Sequence, residues 1–155
     1  MKKYELTEET FTVFGKTLYQ IRAVRDFGSV KTGEFGGYIE KEENLSHFGD
    51  AWVYGNAKVY GDARVSGNAW VYGNAEVFNT RHFFVQGPIG SRDGYVTFYR
   101  TKDDTVEVRC GCFSGSLQEF VNQVEETHGG SRYEKEYKLA AELAKVCIRL
   151  EGESR

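Results

Sequence analysis

The sequence predicts a mainly β protein: a short parallel β-solenoid between an N-terminal β-hairpin and a C-terminal ββαα module. Three observations predict it. Residues 49–78 are five tandem copies of one six-residue unit, GDAWVY GNAKVY GDARVS GNAWVY GNAEVF. Ahead of them lie two β-rich runs about a Gly-Lys turn, and behind them alternating strands give way to two amphipathic helical patterns. A period this short and strict marks a chain that stacks one small unit on the next.

In chain order, FTVFGKTLYQIRAV (11–24) alternates β-branched, aromatic and polar residues around Gly15-Lys16, the pattern of a hairpin. GEFGGYI then leads into the repeat. Within the repeat, Ala51, Ala57, Ala63, Ala69 and Ala75 each precede Val53, Val59, Val65, Val71 and Val77 by two residues. Alternate residues of a strand share a face, so each pair points inward. Gly followed by Asn or Asp makes the corner, because Gly accepts positive φ and the short polar side chain bonds its own backbone.

These hexads resemble the hexapeptide-repeat family, in which an aliphatic residue and a small residue recur every six positions. The resemblance covers about residues 39–84. It implies a left-handed parallel β-helix with three hexads to a triangular coil, an exception to the right-handed crossover found in about 98% of parallel connections. Residues eighteen apart then stack: Trp52 over Trp70, Tyr54 over Tyr72, Tyr60 over Phe78, Lys58 over Glu76. Counting back in sixes places Ile39 and Leu45 in the Ala phase, with Lys41 and His47 breaking the Val phase. Counting forward, Phe83 keeps the Val phase and Arg81 breaks the Ala phase. The expected organisation is a cap over 1–38, a β-helix over 39–86 and a module over 87–155.

Downstream, GPIGSRDG (87–94) reads as a turn-rich connector, and YVTFYR and TVEVRC as a hairpin. Leu117, Phe120, Val121 and Val124 line one face of a first helix, opened by a capping box of Ser116 and Glu119. Tyr133, Tyr137, Ala140, Ala144 and Cys147 line a second, with Ser131 and Glu134 expected to repeat the box.

A formal net charge of −3 over 155 residues argues against a surface that tracks nucleic acid, which needs a basic footprint. No apolar run has the length of a signal peptide or membrane span, so the expected location is cytoplasmic. Three cysteines, an odd number, do not suggest a disulfide scaffold.

Four sets of residues are candidates for function. Trp52, Tyr54, Trp70 and Tyr72 build one outward aromatic face, which either contacts a partner or is covered by a flanking module or a second copy. Ser91, Arg92, Arg100, Arg109, Ser114 and Ser116 gather two Gly/Ser-rich stretches, a helix start and three cations into an anion site for a nucleotide or other phosphate; the plainer reading is a connector and a helix cap. Cys110 and Cys112 with His82 or His128 form a weak zinc signature, against which stand ordinary half-buried thiols. The resemblance also extends to acyltransferases that use a His base, for which His47 is the candidate, and to γ-class carbonic anhydrases, whose three histidines find no suitable spacing here.

The reading that emerges is a binding protein without catalytic residues, cofactor or metal. The arrangement of near-identical hexads resembles small proteins of bacteriophages and mobile elements. That context implies an inhibitor that docks on a host defence complex, with nucleotide sequestration and acyl transfer as alternatives. A homo-oligomer formed by face-to-face packing is expected alongside.

Overall fold

The computed structural model describes residues 2–151. Two compact units divide the chain, Met1–Thr80 and Arg81–Arg155. No helix among the described residues is long and apolar enough to cross a membrane.

The first unit opens with the hairpin β1 (Tyr4–Val13) and β2 (Lys16–Ala23), closed by Phe14 and Gly15 with φ of 48° and 78°. Both central residues at positive φ make a turn whose twist suits two antiparallel strands. Four short strands follow β3 (Phe35–Ile39): β4 (Trp52–Val53), β5 (Lys58–Val59), β6 (Trp70–Val71) and β7 (Glu76–Val77). One sheet runs β1-β2-β3-β5-β7, and a second holds β4 and β6. β2 meets β3 antiparallel, but from β3 onward the pairing is parallel.

The repeat sets the spacing of the parallel pairs. Trp52 lies beside Trp70 and Lys58 beside Glu76, each eighteen residues on. Backbone N–H groups cross between them at regular points, Trp52 to Ala69, Tyr54 to Val71, Lys58 to Ala75 and Tyr60 to Val77. All five repeat valines are wholly buried, and the five alanines are no more than 2% exposed. The inward column of the five repeats thus consists of side chains of one to three carbons.

The extension of the register toward the N-terminus requires a correction. Ile39 pairs with Val59 and Leu45 bridges Val65, so both belong to the Val phase, and the first interval is twenty residues. The two additional residues fall between Leu45 and Val53, where the Ser46 hydroxyl accepts the Phe48 N–H at 3.0 Å and the loop bulges outward. His47 therefore leaves the column altogether. Asn44, buried beside Leu45, accepts from the Glu40 and Lys41 N–H groups and donates to the Gly61 and Ala63 carbonyls. Its polar atoms are satisfied, as a buried amide requires.

The second unit begins at Arg81, not at residue 87. Phe83–Ile89 forms β8, paired antiparallel with β9 (Gly94–Arg100), and GPIGSRDG supplies the end of β8 and its turn instead of a connector between units. β10 (Val106–Cys110) and β11 (Phe113–Ser116) complete a sheet in the order β11-β10-β9-β8. The expected ββαα module thus has four strands. Helices α1 (Leu117–His128) and α2 (Arg132–Cys147) cover one face, burying Val96, Phe98, Val108, Phe120, Val124, Ala140, Ala141 and Ala144 together with Ile148. Phe98 and Phe120 meet edge to face at 5.9 Å, a favoured aromatic geometry.

Both helix starts use Ser, but differently. Ser116 accepts the Glu119 N–H at 3.1 Å while Glu119 accepts the Ser116 N–H at 2.8 Å, the reciprocal box. Ser131 makes no such bond; its hydroxyl donates to the His128 carbonyl, and Glu134 instead accepts from Gly130. The second box is therefore not formed, because the preceding Gly130, at φ 83°, presents its own N–H to the carboxylate.

Candidate functional site

The aromatic face survives in part. Tyr54 stands edge-on to Trp70 at 5.1 Å and 4.5 Å from Tyr72, so three half-exposed rings make one continuous ladder. Parallel pairing at an eighteen-residue interval puts them there: it sets Trp52 directly beside Trp70, and Tyr54 and Tyr72 follow two residues on. Trp52 itself does not share the exposure. It is 2% exposed, with Phe27 edge-on at 5.1 Å, and it lies so close to Gly36 that a Cβ there would come within 2.8 Å of its ring. The indole has been taken into the first unit's own core, and a flanking segment of the chain is what covers it. The second expected stack, Tyr60 on Phe78, forms on another face at 5.2 Å. Lys58 sits beside Glu76 as expected, yet its ammonium rests 4.4 Å from the Phe11 ring centre.

The anion set is dispersed. Ser91 and Arg92 are exposed in the β8–β9 turn, at the opposite end of β9 from Arg100, a distance of about 20 Å at the usual rise of a strand. Arg100 is buried and is held by the Asp104 carboxylate at 3.0 Å, with Glu151 at 3.9 Å. Arg109 is level with Ser114 on the neighbouring strand, while Val108 beside it enters the helix-covered core. Ser116 caps α1, and the Glu119 carboxylate lies at the helix start, held below the usual carboxylate range by the Ser116 N–H and hydroxyl. A foreign anion at that start would meet a protein carboxylate already in place. The six residues do not converge on one site.

Cys110 is half-buried beside Tyr137, and burial pushes its thiol up, whereas Cys112 is exposed past the Gly111 turn. His82 is buried; desolvation, reinforced by the Arg100 charge, lowers its pKa to about 4. His128 packs against Tyr133 and Tyr137. No group of three metal-ligating side chains occurs among the described residues.

Around His47 is a cluster that the sequence did not announce. Its ring stacks on Tyr4 at 4.1 Å, its Nδ1 accepts the Lys3 N–H at 3.0 Å, and its Nε2 lies 2.8 Å from Glu42 Oε1. Because Nδ1 accepts, Nε2 carries the proton and donates to Glu42, which draws that carboxyl below its ordinary range. Neither nitrogen offers a lone pair to a substrate, which removes the geometry a general base needs. Lys3 lies beneath, with its ammonium donating to the Ala51 carbonyl at 2.7 Å and facing the Phe27 ring. Burial, with the Arg25 charge, lowers its pKa to about 8. These residues fasten the N-terminus onto the irregular Ser46–Asp50 loop, and the only sequence cue was a polar start, MKKY, ahead of the hairpin.

No family model matches the chain, and no curated protein matches it.

Proposed function

We propose that the chain is a non-enzymatic binding protein that docks on another protein through the ladder of Tyr54, Trp70 and Tyr72. Three half-buried aromatic rings, with Tyr54 in contact with both Trp70 and Tyr72, carry this reading. Large rigid rings supply contact area at little entropic cost and are the side chains most often found at the centre of interfaces. The surface that presents them is read as a short left-handed parallel β-helix of the hexapeptide-repeat type. Supporting it are parallel pairs at eighteen-residue intervals and the unbroken column of alanine and valine. The resemblance to phage and mobile-element proteins gives the context, inhibition of a host defence complex in the cytoplasm. Sequestration of a phosphate-bearing ligand is supported less well, since its six residues do not converge on one site, and acyl transfer less again, since both His47 nitrogens are engaged.

The test is a Trp70→Ser/Tyr72→Ser double variant, tagged and compared with the native chain in host lysate. The expected result is one protein held in stoichiometric amount by the native chain and lost from the variant, with unchanged circular dichroism. Equal capture by both chains overturns the reading, as does release of a nucleotide from the denatured native chain without any captured protein.

A further inference from the structure

The β1–β2 hairpin spends ten residues, 8–17, on a ribbon in which every residue but Val13 is exposed. Phe14 at its tip is 86% exposed and Phe11 46%. β1 is also the terminal strand of its sheet, so its outer edge carries backbone groups with no strand beside them among the described residues. Phe11 meets Tyr38 at 6.1 Å and the Lys58 ammonium at 4.4 Å, but toward the tip the ribbon has little packed against it, and an open edge is a template for another strand.

The edge is protected unevenly. Between Leu6 and Thr10 the register with β2 shifts, and Glu8 and Glu9 stand there, two devices that discourage pairing. From Thr10 to Val13 the ladder with β2 is regular, and the residues, Thr-Phe-Thr-Val, are uncharged and strongly β-prone. The two-residue turn makes Val13 and Lys16 the bonded pair. Antiparallel alternation then directs the N–H and C=O of Thr12 and Thr10 outward.

We propose that two copies of the chain join edge to edge through Thr10–Phe14 of β1, antiparallel about a two-fold axis at Thr12. Antiparallel edge pairing is self-complementary, as a two-fold dimer requires. Outward groups meet outward groups in only two central registers. If the axis passes through Phe11, Glu9 faces Val13 and Glu8 faces Phe14, which sets carboxylates against apolar side chains. With the axis at Thr12, Thr12 faces its own copy, Phe11 faces Val13 and Thr10 faces Phe14. Glu9 of each strand, on the face shared by Phe11, Val13 and Lys16, then comes toward Lys16 of the other copy, whose side chain is 46% exposed with its ammonium 3.5 Å from Glu40. Aromatic against β-branched, Thr against Thr and acid against base are the favoured cross-strand pairs. This charge match selects a second copy over a foreign strand, and it accounts for an aromatic residue at φ 48°, a position that Asn or Gly fills with less strain. The dimer uses a surface distinct from the aromatic ladder and from the face-to-face packing that the repeat suggests.

Sedimentation equilibrium of the full chain tests it together with three variants. The native chain is expected as a dimer, and Thr12→Pro as a monomer of half the mass with unchanged circular dichroism, since proline removes only an outward N–H. Glu9→Lys weakens the dimer at least severalfold, and adding Lys16→Glu restores it. In a Cys112→Ser background, Thr12→Cys forms a covalent dimer on mild oxidation, whereas cysteine at exposed Lys31 does not. This arm decides the matter even if Thr12→Pro fails to fold. A native chain that stays monomeric, with or without a foreign strand bound at β1, overturns the proposal. So does a Thr12→Cys chain that cross-links no faster than the Lys31→Cys control.

Discussion

The first unit fills its repeat core with Ala and Val, whereas the second packs Phe98 and Phe120 under two helices. In the first, backbone from successive passes of the chain approaches closely, and the parallel pairs fix how much room remains. In the second, a sheet and two helices can shift against one another to suit larger side chains. The first should therefore fail when atoms are added and the second when they are removed. Each has its own reporter, because Trp52 and Trp70 both lie in the first unit and both helices in the second.

Removal has the largest expected effect. Phe98→Ala, at a wholly buried position, should cost about 3–5 kcal/mol, read from the helical circular dichroism in urea. Ala69→Leu, equally buried, should cost about 1–3 kcal/mol by overpacking, read from tryptophan emission. Equal tolerance of Ala69→Leu and of an exposed control would break the contrast.

Within the repeat, the corner glycines refine it. Gly61 and Gly67 have φ of 61° and 67°, but a Cβ at Gly61 would come 2.8 Å from the Phe78 carbonyl while one at Gly67 meets nothing within 4 Å. Gly67→Ala should show only the left-handed penalty, about 1–2 kcal/mol. Gly61→Ala should exceed it, and urea midpoints that coincide would mean the two passes are not in close contact there.

The pH responses of the two units should share a direction and differ in window. Lys3 loses its proton at about pH 8 in the folded chain and at 10.5 when unfolded, so between these values the unfolded state binds the additional proton and stability rises with pH. Tyr4, raised by burial, opposes this above pH 10, which leaves pH 8–10 as the window. His82 acts in the same direction in an acid window: its folded pKa is about 4 against 6.5 unfolded, so the unfolded state again binds the additional proton and stability is lost as pH falls from 6.5 to 4, with Arg100 and Asp104 as its charged neighbours. Urea titrations read by tryptophan emission should show the alkaline gain, absent in Lys3→Met. The helical signal should show the acid loss, reduced in His82→Gln.

How far the sequence carried depends on where a position's role is local. The hexads exposed their own register, since identical residues eighteen apart must stack whatever surrounds them, and the Ala and Val columns are as read. Ile39 and Leu45 were six apart like the valines and of Val-phase size, so their placement was legible; counting unbroken sixes hid the two-residue insertion before Val53. Trp52 was misplaced because burial by Phe27 is non-local, although the GEFGGYI glycines were a cue, since Gly within a strand often marks a close approach. β8 was missed because a Gly-Pro within FFVQGPI reads as a breaker, and only pairing with β9 overrides it. The anion set failed for the same reason: nearness in sequence on an extended strand is separation in space.

The central claim is that Trp70 keeps part of its ring accessible while Trp52 is sealed, and acrylamide quenching of tryptophan emission tests it most directly. In the native chain the quenchable emission should come from Trp70, so Trp70→Phe should leave a blue-shifted signal quenched several times less, and a captured partner should reduce native quenching to that level. Quenching in Trp70→Phe equal to that of the native chain, or a partner that leaves native quenching unchanged, would contradict the account.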